Sequence, residues 1–451
     1  MRIAVVTDYG STGGASIAAS RLCTGLRRRG HFVGRFYAFA PSPTADSADV
    51  VYPVGDLDPW NVRISGVLKN EIWRRISQRR WAKVFRRVLR DFRPDVVSLH
   101  NLHGACWDIE VVEECLRHAP VTWTLHDMWA LTGSCAYSLD CLKFESACDA
   151  RCPRVGTYPT LPARMIASAH ARRRRLYNGH PRLALVAPSR WLTDHARVMA
   201  KGCVSTLRIT YGLDLDQFRP IQKSLARDLL RIPDDGKPCL LAAAAWFRDP
   251  IKGMNLLVEA LATPAKESPR LMLMGRDDVL IRPPAGIDVV RFGALSGDKF
   301  FPILYSAADL FVQPSLAENQ PLVIMEAMAC GVPVVALSVG GVPEMVVENE
   351  TGWLAKEKSA GGLAEALRRA MAERAEWPDY AERCRARARA QYAAELQARR
   401  YEQVMRDLVA GSETTQETLD GLATAGASAA DASVGALSSA EHASMGNREK
   451  P

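Results

Sequence analysis

The chain has 451 residues, 48% hydrophobic, 24% charged and 7% aromatic, the profile of a globular protein of two or three domains, which excludes disorder of the whole chain. No apolar run approaches the roughly 18 residues that a membrane-spanning helix needs, and MRIAVVTDYG passes from one Arg into a β-rich run without a secretory cleavage pattern, so the expected location is the cytoplasm. Fifty-eight Lys and Arg against fifty Asp and Glu give +8, unevenly, since the last 41 residues carry six acids and two bases; the basic body suits an anionic small molecule, nucleic acid or an anionic membrane surface.

In chain order, RIAVVT (2–7) reads as a buried strand, the Gly-rich DYGSTGG as a loop, and 15–28 as an amphipathic helix stopped at Gly30. Further strands are predicted at 31–38, 94–99, 120–125 and 182–187, with helices between them. A second series follows YGLDLDQFRP (211–220), with strands at 239–245, 270–274, 287–291, 310–313 and 332–337. Strands alternating with helices in two series predict an α/β chain of two Rossmann-like, doubly wound parallel domains. The expected division is a first domain over 1–214, a second over 215–380, closing helices over 381–410 that pack back on the first domain, and a tail over 411–451. The tail is almost pure Ala, Ser, Gly and Thr without an aromatic residue, so it is expected to lack structure.

The most informative stretch is PSLAENQPLVIMEAMACGVPVV (314–335). A strand ends at Pro314, a loop presents Glu318, and Pro321 precedes a helix that Gly331 ends. Glu318 therefore lies beside a helix N-terminus and Glu326 inside the helix, with seven residues between them. Free N–H groups there suit a phosphate, whereas the carboxylates suit the hydroxyls of a sugar or ribose. Taken by itself, the spacing also fits solvated surface charge.

With YSAAD before it and GGVPEMVVENETGWL after it, this stretch resembles the retaining glycosyltransferases of family 4, the group 1 glycosyl transferases with the GT-B fold. Four further places fall in the expected order: Gly13, Gly14 and Ala15; YGLDLDQFRP; FRDPIKG (247–253); and LMLMG (271–275). The resemblance covers most of 1–380. It implies that Glu318 faces a donor sugar, that Glu326 holds a nucleotide ribose, and that backbone N–H groups around Asn319, Gln320 and Leu322 serve the sugar and diphosphate. It further implies that Arg248 and Lys252 neutralise a diphosphate leaving group, the spacing between them being one residue shorter than the commonest form of the motif. Gly13 and Gly14 would let the backbone approach a phosphate or an acceptor. His126, beside Asp127, matches the family histidine near the reacting carbon; His100 and His103 also end or follow a predicted strand.

Two other features stand out. Cys135, Cys141, Cys148 and Cys152 crowd a loop over 133–153, where four thiolates could close a structural zinc site or remain reduced cysteines. The stretch 69–90 holds nine basic residues and one acid, with Trp73, Ile76, Val84, Phe85 and Val88 at near-helical spacing. Such a helix can lie on anionic lipid with its aromatic side down, or pack on the domain with a solvated basic face.

The resulting expectation is a metal-independent hexosyltransferase that moves a sugar from a nucleotide diphosphate donor to a hydroxyl of a glycan or lipid-linked acceptor in polysaccharide assembly. It would be cytoplasmic and peripheral on the inner membrane face, without a nucleic-acid partner. A nucleotide-sugar epimerase of the same fold and a catalytically silent, glycan-binding or scaffolding relative are the alternatives.

Overall fold

The computed structural model describes residues 1–10, 13–39, 50–54, 71–201, 204–263, 268–276, 281–295 and 299–422. Ser11 and Thr12 of the glycine loop, the first two positions of the basic stretch 69–90, the Trp73 side chain and the tail beyond 422 lie outside this description.

Among the described residues the strands are β1 (Arg2–Tyr9), β2 (Phe32–Phe39), β3 (Val50–Pro53), β4 (Val96–Leu99), β5 (Val121–Thr124), β6 (Leu183–Ala187) and β7 (Ser205–Arg208), then β8 (Cys239–Trp246), β9 (Arg270–Arg276), β10 (Asp288–Gly293), β11 (Leu310–Gln313), β12 (Val334–Leu337) and β13 (Gly352–Ala355). The helices of the first half are α1 (Gly14–Arg28), α2 (Glu71–Phe92), α3 (Ile109–His118), α4 (Ala163–Tyr177) and α5 (Arg190–Ala200). Those of the second are α6 (Lys223–Leu229), α7 (Met254–Leu261), α8 (Phe301–Ala307), α9 (Leu322–Ala329), α10 (Val342–Met345), α11 (Ala360–Ala372), α12 (Trp377–Gln391) and α13 (Ala394–Ala410).

The strands form two sheets, ordered β3-β2-β1-β4-β5-β6-β7 and β10-β9-β8-β11-β12-β13, and every strand pair in them is parallel. Both are doubly wound, with the order reversing beside β1 and beside β8, where such sheets open a ligand crevice. Central strands read as continuous apolar runs because helices cover both faces; Ile3, Ala4, Val5 and Val6 are all fully buried. Helix α1 buries Ala18, Ala19, Leu22, Cys23 and Leu26, a helical-period stripe, and the chain leaves it through Gly30 at φ +80°.

The two halves are joined where YGLDLDQFRP meets the closing helices. Leu213 N–H donates to Tyr392 O at 2.7 Å and Ala394 N–H to Leu213 O at 3.0 Å. Gly212 is needed there because a Cβ would come within 2.7 Å of Ala394 Cα. Helix α13 then packs on the first domain, Tyr401 Oη lying 2.9 Å from Thr124 Oγ1. The expectation for 381–410 is corrected in one respect, since α12 stays with the second domain: its Trp377, Tyr380, Cys384 and Ala388 join that domain's core.

The tail expectation is also corrected. Residues 416–422 are helical, Leu419 is fully buried beside Leu408 and Met405, and Gln416 bonds both the N–H and the carbonyl of Arg208 on β7. A buried leucine offsets the chain entropy that the average composition of the tail does not.

The basic helix resolves into a packed one. Trp81, Phe85, Val88, Leu89 and Phe92 of α2 are buried in the first domain's core, while Arg79, Arg80, Lys83, Arg86, Arg87 and Arg90 are exposed. Phe85 and Val88, expected as part of a lipid-facing side, are thus spent on the protein interior, while Ile76 stays exposed beside the charged face. Among the described residues no helix is long and apolar enough to cross a membrane.

Candidate active site

The loops after β5 and β6 of the first sheet meet those after β11 and β12 of the second. Glu318, on the loop after β11, is 6% exposed and accepts hydrogen bonds at Oε1 from Lys252 Nζ at 2.8 Å and from Gln313 Nε2 at 3.1 Å. Lys252 ends a 3-10 turn (Pro250–Lys252) whose Asp249 side chain accepts from Ile251 N–H. Burial lowers the ammonium's pKa, and the Glu318 and Asp249 carboxylates more than offset this, so Lys252 stays charged. Arg248, its expected partner, is exposed, with its guanidinium 5.1 Å from the Trp246 ring centroid; Arg276 lies over the same ring at 4.3 Å.

Two glycines set the height of the Glu318 loop. Gly340 has φ +52°, and a Cβ there would fall 1.9 Å from Glu318 O; at Gly341 it would fall 2.1 Å from Asn319 O. The GGVPE segment therefore packs its bare backbone against the backbone that carries the carboxylate.

Glu326 is buried inside α9. Its Oε1 accepts from Arg21 Nη2 at 2.7 Å, an ion pair that reaches across from α1 of the first domain, and its Oε2 from Tyr305 Oη at 2.8 Å. A ribose held by this carboxylate has to share it with, or displace, those partners. Asn319 and Gln320, expected to serve through their backbone, use their side chains to tie the domains. Asn319 Nδ2 donates to the carbonyls of Leu125 and His126 at 3.2 and 3.1 Å, and Ser189 Oγ donates to Asn319 Oδ1 at 2.6 Å. Gln320 Oε1 accepts from Tyr211 N–H at 2.7 Å. Leu322 opens α9 behind Pro321, where a helix leaves its first N–H groups outside its own ladder.

On the first domain, His126 and His100 form a buried chain. His126 Nδ1 lies 2.6 Å from Tyr211 Oη and its Nε2 lies 2.9 Å from His100 Nδ1, whose Nε2 is 3.3 Å from Ser98 Oγ. Both ring nitrogens of His126 thus already have partners, so a sugar hydroxyl reaches the ring only by exchanging one of them. Burial pushes His126 down to about 4, with Asp127 pulling the other way; burial, His126 and Arg35 push His100 well below the usual range. Such imidazoles resist protonation that the unfolded chain accepts, so their contribution to stability is full above about pH 6.5 and is lost as pH falls toward about 4. His126→Asn is expected to make the dependence of unfolding free energy on pH shallower between those limits, as urea titrations at stepped pH would show.

Beside them, His103 Nε2 is 2.8 Å from Asp127 Oδ2 and its Nδ1 is 3.2 Å from Tyr158 Oη. Gly13, at φ +86°, caps α1, and a Cβ on Gly13 or Gly14 would meet nothing within 4 Å; only Gly13 is required by its backbone.

Five site-lining groups were not singled out from the sequence. Asp8 is buried at the end of β1, where Asn101 Nδ2 and Gly104 N–H donate to it, and burial raises its pKa despite His103. Its place at a strand's C-terminal end is the same signal that marked the histidines. Tyr211 stands inside a motif already noted for its position. Tyr137, half-buried on the cysteine loop, has its phenol pushed well up by burial and by the Glu318 and Asp127 carboxylates. Arg21 and Tyr305 sit within ordinary helices and carry no local signal.

Two parallel-sheet domains meeting at one cleft, with one carboxylate on the loop after β11 and another inside the helix that follows it, have the GT-B architecture. Models of two domain families match, Glycosyltransferase Family 4 over residues 12–198 and Glycosyl transferases group 1 over 237–373. The chain belongs to this glycosyltransferase family 4 group. It is similar to a D-inositol 3-phosphate glycosyltransferase of Streptomyces avermitilis, 33% identical over 35% of the chain and 37% of that protein. It is also similar to WcaC of Escherichia coli (strain K12), described as a colanic acid biosynthesis glycosyl transferase, 26% identical over 56% of the chain and 62% of that protein. The chain thus spans between about a third and two thirds of the length of these relatives. Among solved structures, sucrose-phosphate synthase of Thermosynechococcus elongatus superimposes with TM-score 0.67 at 21% identity, over 91% of this chain and 100% of that one. Anabaena Alr3699/HepE in complex with UDP-glucose gives TM-score 0.58 at 16% identity, over 90% and 100%. At these identities the structures establish the shared fold.

Proposed function

We propose that this chain transfers a hexose from a nucleotide diphosphate sugar to a hydroxyl of a glycan or lipid-linked acceptor, with retention at the anomeric carbon. The observation that carries the reading is the Lys252–Glu318 pair at 2.8 Å, with Glu326 one helix away. Cleavage of the glycosidic bond builds negative charge on the departing diphosphate, and a fixed ammonium lowers that barrier. In the donor complex Lys252 turns from Glu318 to phosphate, leaving the carboxylate to accept from sugar hydroxyls. The departing phosphate takes the acceptor proton on the face where the new bond forms, which gives retention without a covalent intermediate. No metal enters this scheme, because side-chain and helix-end positive charge does the neutralising.

The family, the relative WcaC, named for colanic acid biosynthesis, and the UDP-glucose complex of HepE favour polysaccharide assembly and a UDP-type donor. The exposed arginines of α2 are proposed to hold the body to anionic lipid by charge alone; co-sedimentation with anionic vesicles at low salt that is lost at high salt checks this.

The test of the reaction is donor turnover followed by NMR. Nucleotide diphosphate release that depends on acceptor, with the donor's anomeric configuration kept in the product, is the expected outcome. Turnover without acceptor to an epimeric nucleotide sugar points instead to the epimerase, and no turnover to the silent relative.

A further inference from the structure

The loop between β5 and α4 holds a cluster that the proposed transfer does not use. Cys135, Cys141, Cys148 and Cys152 line one cavity of about 10 Å³, together with Lys143. Cys135 and Cys148 are buried, Cys141 and Cys152 partly so, and all four are free thiols. Core cysteines ordinarily pack as small hydrophobes. Here a main-chain N–H points at sulfur: Arg154 N–H donates to Cys152 Sγ at 3.4 Å. The loop also packs closely around the cluster, since a Cβ on Gly133 would lie 2.8 Å from Ile166 O and 3.0 Å from Cys148 Cβ. A donor aimed at sulfur is part of the outer shell that metal-bound cysteines need.

We propose that Cys135, Cys141, Cys148 and Cys152 bind one Zn²⁺ in a tetrahedral four-thiolate site. Among the described residues no three such side chains already stand in metal-holding geometry, so binding has to draw the sulfurs in over the cavity, to about 2.3 Å from the metal. Four soft thiolates select zinc among the common divalent ions. Binding releases four protons and leaves a net charge of −2, opposed by the Lys143 ammonium, which is 3.0 Å from Asp149 Oδ1 at the cavity.

The metal's work is to fix a long loop that touches the cleft. That loop is otherwise held by Arg173 Nη1 on Thr132 O at 2.6 Å, by His170 Nε2 on Phe144 O at 2.8 Å and by Ser134 Oγ on Pro159 O at 2.9 Å. It carries Tyr137 toward Glu318 and Tyr158 onto His103.

The experiment uses the full chain, purified under reduction and washed with a weak chelator, read by elemental analysis and by titration of its thiols. The expected result is one zinc per chain and four thiols that react only after the metal is stripped. Cobalt exchanged into the site should add the intense near-ultraviolet band of thiolate-to-cobalt charge transfer. Cys148→Ser should lose the zinc, and Cys106→Ser, outside the cluster, should keep it; if Cys148→Ser does not fold, the unmodified chain still decides through its metal content and thiol titration. A metal-free chain with unchanged melting and four freely reacting thiols, or one whose mass shows two disulfides, overturns the site. A metal-free chain that still turns over donor overturns the site and leaves the proposed transfer standing.

Discussion

Lys252→Ala is expected to lower kcat by about 10²–10³-fold, with donor affinity changed much less, because the lost interaction strengthens only as charge develops on the leaving phosphate. The substitution has a second effect that has to be separated from the first. Glu318 is 6% exposed, and removing the ammonium 2.8 Å away leaves a buried carboxylate with the Gln313 amide as its donor among the described residues. An unpaired buried charge costs about 3–5 kcal/mol, so the single variant should also unfold at lower denaturant. Lys252→Ala combined with Glu318→Gln removes both charges and is expected to recover most of that stability while recovering none of the rate. A double variant that regains activity together with stability would mean that the pair serves only the fold.

Gly340→Ala is the second large effect, and it acts through backbone. The residue has φ +52° and its Cβ would sit 1.9 Å from Glu318 O, so the methyl meets strain and a clash that no side-chain rotation relieves. Each costs of order 1–3 kcal/mol, and the loop's only escape is to lift Glu318 away from Lys252. About 2–4 kcal/mol of lost stability and a fall in kcat of about 10²-fold are expected, measured by urea unfolding and by turnover. Gly14→Ala is the stability control, since a Cβ there meets nothing within 4 Å; it should change stability by less than about 0.5 kcal/mol.

Much of this arrangement was legible in the sequence, and the reasons are local. The strand over Leu310–Gln313 is predicted and observed with the same ends, because a short apolar run between a helix and a proline leaves little choice. The strands over Val50–Pro53, Ser205–Arg208 and Gly352–Ala355 escape that reading: each is only four residues long and lies at a sheet edge. Lys252 and Glu318 come from motifs 66 residues apart, and only the fold joins them. What the sequence hid are contacts made only by tertiary packing. Arg21 on Glu326 spans 305 residues and places a first-domain cation on the carboxylate expected to hold a ribose. The second nitrogen of His126 is likewise taken by a neighbouring strand's histidine. The tail was misjudged because composition averaged over 41 residues hides one leucine, Leu419, that finds a pocket.

Calorimetric titration of UDP, GDP, ADP and their sugar conjugates into the unmodified chain and into Glu326→Ala tests the central claim most directly. Loss of a hydrogen bond to a charged group costs about 1.5–3 kcal/mol, roughly ten- to a hundred-fold in affinity. The account predicts that one nucleotide family binds and that Glu326→Ala loses affinity for it by that factor, lessened by whatever Arg21 costs to displace. Binding that is the same in both proteins, or no binding of any nucleotide to the unmodified chain, would contradict it.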